Sequence, residues 1–220
     1  MFSFFKSKKV NINSIHLPDF DYQITLSSSS IIQWSDAEDS IHISKNFFNI
    51  PPNIPNTNDI TQLRSFYRNS INQVNGGIIE VETFRLQNFD AVRTIFKIPQ
   101  QPSGMVYLAS LTIPFQTCSF VIKAQCNEVD ISGIRDTIIA EKLLNEKKIQ
   151  LDDNGHKGWF IDPYDSALST GTLMNKSELS EYDSYFPEHP LTLARNIIKA
   201  IEENIVFEEE VYKLKSFFNK

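Results

Sequence analysis

Between residues 78 and 126 apolar and polar residues alternate over four successive segments, 78–86, 91–98, 105–113 and 119–126. A period of two places neighbouring side chains on opposite faces of an extended chain, so each segment predicts a strand with one buried face. The segments are broken by Asn88, by Pro99-Gln100-Gln101-Pro102-Ser103-Gly104 and by Pro114. Connections this short leave no room for a parallel crossover, and the four strands are therefore expected as an antiparallel meander. Shorter alternations at 23–26, 31–34 and 40–43, separated by serines and acids, predict two or three strands ahead of it.

The helical period appears between and after these stretches. Residues 49–57 hold Pro51, Pro52 and Pro55 and read as a loop, after which Ile60, Leu63, Tyr67, Ile71 and Val74 step by three and four. They predict a helix at about 58–75, capped by Asn58 or Thr57 and ended by Asn75-Gly76-Gly77. Asn127 can cap a second helix at about 128–145, through Ile131, Ile134, Ile138 and Leu143. Ser177 can cap a short helix through Tyr182 that stops before Pro187. Pro190 suits the first position of a longer helix to about 205, with Leu191, Ala194, Ile197 or Ile198, Ile201 and Ile205 on one face. The tail, with Val211, Leu214, Phe217 and Phe218, either extends that helix or forms a short one of its own. The expected fold is α+β: an antiparallel sheet flanked by helices over 1–150, and a C-terminal helical extension, 151–220, packed on the same domain.

Composition adds limits. The 220 residues are 41% hydrophobic and 12% aromatic, enough to bury a core, which rules out a disordered chain. Apolar runs of a few residues fall far short of the roughly 20 needed for a membrane-spanning helix. The start, Met1-Phe2-Ser3-Phe4-Phe5-Lys6-Ser7-Lys8-Lys9, reverses the order of a secretory signal, so a cytoplasmic location is expected and the lysines read as a solvated basic tail. Net charge is −6, and residues 176–210 set nine acids against Lys176, Arg195 and Lys199, a distribution that argues against a nucleic-acid partner. Cys118 and Cys126 share one extended segment about 26 Å apart, at ~3.3 Å per residue, and read as reduced, buried thiols rather than a disulfide.

Motifs for chemistry are scarce. His16, His42 and His156 are isolated, no zinc-ligand spacing occurs, and the glycines form neither G-x-G-x-x-G nor a P-loop, so neither metal nor cofactor is expected. No serine stands in a G-x-S-x-G elbow, and no catalytic residue is assigned. His189 lies near Asp183, Glu188 and Arg195, with Asp162 and Asp165 in a preceding acidic loop; the set reads as helix capping, as ligand recognition or as an acid–base site. The aromatics Trp159, Phe160, Tyr164, Tyr182, Tyr185 and Phe186 mix with acids, a composition that either seals the extension onto the sheet or grips a basic or amphipathic peptide.

Two stretches carry a resemblance. The order hairpin, helix, meander, helix, with Gly104–Pro114 leading into Ser119–Cys126, resembles the PsbP-like and DcrB-like fold group over about residues 20–145. The run Asp183-Ser184-Tyr185-Phe186-Pro187-Glu188-His189-Pro190-Leu191 is similar to a D-x-x-F-P-x-H-P-L sequence of uncharacterised bacterial proteins. Members of that fold group are mostly non-enzymatic, serving photosystem assembly, binding of a small GTPase or chaperoning of secreted effectors, so the resemblance implies binding and no catalytic residue. The expectation is a non-enzymatic protein that binds a protein or peptide partner through Trp159, Asp162, Tyr164, Asp165, Asp183 and His189. The alternative is a hydrolase-type enzyme in which Asp162, Asp165, Asp183 and His189 converge on one cleft.

Overall fold

The computed structural model describes residues 9–129, 133–153 and 155–217; Lys6, Lys8, Ile131 and Phe218, invoked above, lie outside them. Its main sheet consists of β1 (Gln23–Ser27), β2 (Ile31–Ser35), β3 (Ile41–Phe48), β4 (Gly77–Leu86), β5 (Phe89–Pro99), β6 (Met105–Pro114) and β7 (Ser119–Asn127). All neighbours are antiparallel, in the order β1-β2-β3-β7-β6-β5-β4. The two strand groups join where β3 pairs with β7, Ile41 opposite Cys126 and Phe48 opposite Ser119. From β3 the chain crosses to the far edge of the sheet through the proline-rich loop and α1 (Ile60–Asn72).

Side-chain alternation along β5 separates two layers. Val92 and Phe96 face α1, packing with Leu63, Ile71, Ile78 and Val81. Ala91 and Ile95 face the other way, into the larger core, where Ala109, Leu111, Phe120 and Ile122 meet Leu191, Ala194, Ile198 and Ile201 of α3 (Pro190–Asn204). Thus α3, read from sequence as part of an extension, supplies the layer that covers the centre of the sheet. The second helix, α2 (Ile134–Asn145), buries Ile139 and Leu143 against Ile149, Trp159 and Tyr182.

Several boundaries differ from expectation for local reasons. Asp59, not Asn58 or Thr57, caps α1, its carboxylate accepting from the Gln62 amide at 2.9 Å. Asn127 is held in the ladder opposite Val106 and cannot cap a helix; α2 begins at Ile134 after Gly133, whose φ of +80° suits glycine. Ile134 and Ile138 point outward, half exposed, because the buried pair is the neighbouring i,i+4 stripe Ile139 and Leu143. In place of one short helix after Ser177 there are two 3-10 turns, Lys176–Glu178 capped by Asn175, and Ser180–Tyr185. The tail does not prolong α3. Val206–Phe207 pairs with Ile15–His16, seating Phe207 against Phe89 at 4.7 Å between ring centroids, and a 3-10 turn at Val211–Lys213 follows. Cys118 and Cys126 are buried and free, and burial, with a smaller contribution from Asp36, pushes the Cys126 thiol up to about 12. Among the described residues no helix is long and apolar enough to cross a membrane.

The two edges of the sheet are treated differently. On the outer side of β4 the Val81 amide donates to the Tyr164 hydroxyl at 2.7 Å and the Val81 carbonyl accepts from Arg64 Nε at 3.2 Å. Gly77 lies so close to the following segment that a Cβ there would stand 2.2 Å from the Thr172 carbonyl oxygen. At the opposite edge all five residues of β1 are exposed, and the register shifts between Ile24 and Leu26. The Gly77 contact sets an expectation: Gly77→Ala pushes residues 170–173 off the β4 edge and costs about 2 kcal/mol, within the range for overpacking. Urea unfolding measures it, and a midpoint equal to wild type would contradict the contact.

Candidate functional site

Helix α3 starts at a sequence built for starting helices. Pro190 occupies its first position and His189 is the N-cap, Nδ1 accepting from the Leu191 amide at 3.2 Å. With Nδ1 accepting, the ring proton sits on Nε2, which faces Glu128 Oε1 at 3.5 Å. The ring also packs beside Tyr107, with centroids 5.4 Å apart. Glu128 accepts from the Met105 amide at 2.8 Å as well, and although burial pulls its carboxyl upward, His189 and the backbone donors hold it below the usual range.

His189 and Glu128 sit in a groove of about 510 Å³ between the ends of β3 and β7, the start of α2 and the start of α3. Its apolar lining includes Ile41, Val129, Ile134, Phe186, Pro187 and Leu193, and its acids are Asp36, Glu38, Glu128 and Glu188. Val129 and Ile134 are 53% and 50% exposed, an apolar surface left to solvent. Burial raises the Asp36 carboxyl, but hydrogen bonds from Ile41 and Ser40 outweigh it and hold the group below its ordinary value, hence ionised. The cation on the wall, Arg135, is already neutralised: its Nη2 donates to Asp183 at 2.9 Å, its Nε to the Ser177 carbonyl at 2.8 Å and its Nη1 to Thr192 at 3.1 Å. The groove therefore presents negative charge around an apolar strip.

The residues singled out from sequence go to separate places. Asp183 faces no imidazole; it bridges Arg135 and Arg195, taking both oxygens of the latter contact at 2.8 and 3.0 Å. Burial leads in lowering Arg195, and Asp183 offsets part of that. Asp162 accepts from Arg68 Nη2 at 2.8 Å on both oxygens and from the Tyr164 and Asp165 amides, in a second hollow of about 130 Å³. Tyr164 lies on the β4 edge between Val81 and Glu82, its ring under Arg64 at 3.5 Å, and burial together with Glu82 pushes its hydroxyl up to about 12. Asp165 is exposed and accepts from the Ala167 amide; Trp159 is buried against α2. Of the six, His189 alone lines the large groove, and Asp162 and His189 open into different hollows, so the hydrolase cluster is not assembled.

No family model and no curated protein matches this chain. Solved structures do. The chain is similar to the Ran-binding protein Mog1p of Saccharomyces cerevisiae, at a TM-score of 0.46 and 6% identity over 88% of this chain and 90% of that one. It is similar to cyanobacterial PsbP, CyanoP, from Synechocystis, at 0.34 and 10% identity over 61% and 80% of the two chains. A third likeness is to LpqN of Mycobacterium tuberculosis, involved in cell envelope biogenesis, at 0.31 and 18% identity over 65% and 82%. These are likenesses in the course of the backbone, and the site described above rests on this chain's own side chains.

Sequence reasoning missed Glu128, Asp36 and Glu38. Each comes from a strand end or turn that only the β3–β7 pairing carries to the start of α3. The one available signal was Ile134 with Ile138, a second i,i+4 apolar stripe on a helix that already had one.

Proposed function

We propose that this chain is a binding protein whose groove takes a basic, amphipathic peptide segment of a protein partner. The observation that carries the reading is an exposed apolar strip, Val129 and Ile134 beside Phe186 and Leu193, bordered among the described residues by four carboxylates and by one cation, Arg135, that is spent on Asp183. Apolar side chains of a docked segment would leave water against that strip, and lysines or arginines flanking them would meet Asp36, Glu38 and Glu188. Of the six residues expected to contact a partner, His189 lines the groove; Asp183 bears on it through Arg135, and Trp159, Asp162, Tyr164 and Asp165 lie outside its lining.

The test is fluorescence anisotropy with a labelled leucine–lysine amphipathic peptide and, as control, the same peptide with glutamate for lysine. Saturable binding of the basic peptide is expected, weakening with added salt. Glu38→Lys with Glu188→Lys lowers the affinity about tenfold or more, since two rim charges reverse at about 0.2–1 kcal/mol per exposed contact made or opposed. Ile134→Asp, at a half-exposed site that tolerates it, lowers affinity without loss of stability. Equal binding of both peptides, or binding indifferent to all three substitutions, would overturn the proposal.

A further inference from the structure

Lys45 lies in the middle of β3 on the side facing the larger core, in alternation with Ile41 and Ile43, a position where an apolar residue is the ordinary choice. It is 5% exposed. Its Nζ donates to the Ile15 carbonyl at 2.9 Å, one of three protons an ammonium has to place. Among the described residues no carboxylate forms an ion pair with it. Among the described residues, the other buried or largely buried cations are neutralised directly: Lys97 has Glu178 at 2.8 Å, and Arg135 and Arg195 share Asp183. Lys45 is the exception among these four, and burial alone holds its amine below the ordinary lysine range.

The exception opens onto a hollow of about 270 Å³. Lys45 and Ile43 of β3 line it, and Trp34 of β2, Leu17 and Phe20 add apolar surface. Two polar groups also line it: Asp19, an exposed side chain whose Oδ1 accepts from the Asp21 amide at 2.9 Å, and His16, whose Nε2 lies 2.8 Å from Glu208. A buried ammonium lacking a counter-charge, beside an indole and a phenyl ring, matches a ligand with a carboxylate at one end and an apolar body at the other.

We infer that this hollow is a binding site for a small organic carboxylate, its head on Lys45 Nζ and its body against Trp34 and Phe20. The volume falls just below the roughly 300–1,000 Å³ of pockets for drug-sized ligands, so the ligand is a small one. Binding supplies the counter-charge the fold omits, and a charge-assisted hydrogen bond to a nearly buried ammonium is among the stronger ones available. A neutral analogue of the same shape would leave the ammonium uncompensated. The site lies apart from the acidic groove and shares no residue with it.

Isothermal titration calorimetry of the whole chain tests this with indoleacetate and octanoate as probes and indoleacetamide as the neutral control. At least one carboxylate is expected to bind with a Kd below about 1 mM. The amide binds at least about tenfold more weakly, as does either carboxylate to Lys45→Met, in keeping with loss of a hydrogen bond to a charged group. Lys45→Met without ligand is expected to melt no lower than wild type, because it removes an uncompensated buried charge. Lys45→Gln serves as a second variant that keeps a donor toward Ile15, and it too loses carboxylate binding. No saturable binding of either carboxylate to wild type, equal binding of acid and amide, or unchanged affinity in both variants would overturn the inference.

Discussion

Glu178→Ala is expected to cost about 3–5 kcal/mol of folding stability, the range for removing one partner of a buried ion pair. Glu178 and Lys97 are both almost fully buried, between the sheet and the 3-10 turn that follows Asn175. The Glu178 carboxylate accepts from Lys97 Nζ at 2.8 Å, from the Tyr107 hydroxyl at 3.1 Å and from the Asn175 amide at 2.7 Å. Alanine would leave three donors, one of them charged, facing a cavity. Removing the charge from both sides separates the electrostatic part of the loss from the rest. Lys97→Met combined with Glu178→Gln retains an amide oxygen for the Asn175 amide and places an NH2 that the Tyr107 hydroxyl can accept from, and should recover at least half of the loss, since buried pairs replaced together are often close to neutral. Urea unfolding of wild type, the single variant and the double variant gives these numbers. A loss under about 1 kcal/mol for Glu178→Ala would show that water reaches the pair and screens it.

Arg135→Met is expected to follow closely, at about 3 kcal/mol or more, with a local signature that Glu178→Ala lacks. The guanidinium is 1% exposed and places its donors on the Ser177 carbonyl, the Leu179 carbonyl, Thr192 and Asp183. It thereby ties α2, the 3-10 turns and the first turn of α3 together. Methionine fills a similar volume but leaves the buried Ser177 carbonyl unpaired, at a cost on the order of 1–3 kcal/mol, and takes one donor each from the Leu179 carbonyl, which keeps the Tyr182 amide, from Thr192 and from Asp183. Arg135→Lys should rescue little, because an ammonium cannot reproduce the planar fork that reaches several acceptors at once. Amide exchange should quicken in residues 176–186 before it does in β5 and β6. Uniform quickening across the sheet, or none, would show that the guanidinium is not the tie.

Most of the sheet and two of the three helices were legible because their signals are local. The alternation of β4 to β7 and the three-to-four step of α1 and α3 need only a window of ten to fifteen residues, and Pro190 marks its own helix start. What failed depended on partners distant in sequence. Asn127 has the chemistry of a cap, but the ladder with Val106 takes it first. The apolar series of α2 mixes two stripes, and only the arrival of Ile149, Trp159 and Tyr182 decides which one is buried. The candidate site was legible at His189 alone. Asp183 stands six residues before His189 in the sequence, yet its oxygens are claimed by Arg195 and Arg135, while Glu128 reaches the imidazole from just past the end of β7. Proximity in sequence is a weak guide to side-chain pairing when strong hydrogen-bond donors converge from other elements.

The unequal edges of the sheet set a limit on self-association. Linear growth by strand addition requires each copy to offer two docking rims, one for the copy before it and one for the copy after. Here Tyr164, Arg64 and the Thr172 backbone occupy the β4 rim, and β1 is the rim that remains, interrupted by its own register shift. A molecule with one usable rim is monovalent. Two copies meeting through β1 would satisfy each other and present only blocked rims outward, so pairing ends at two and a fibre has no place to continue.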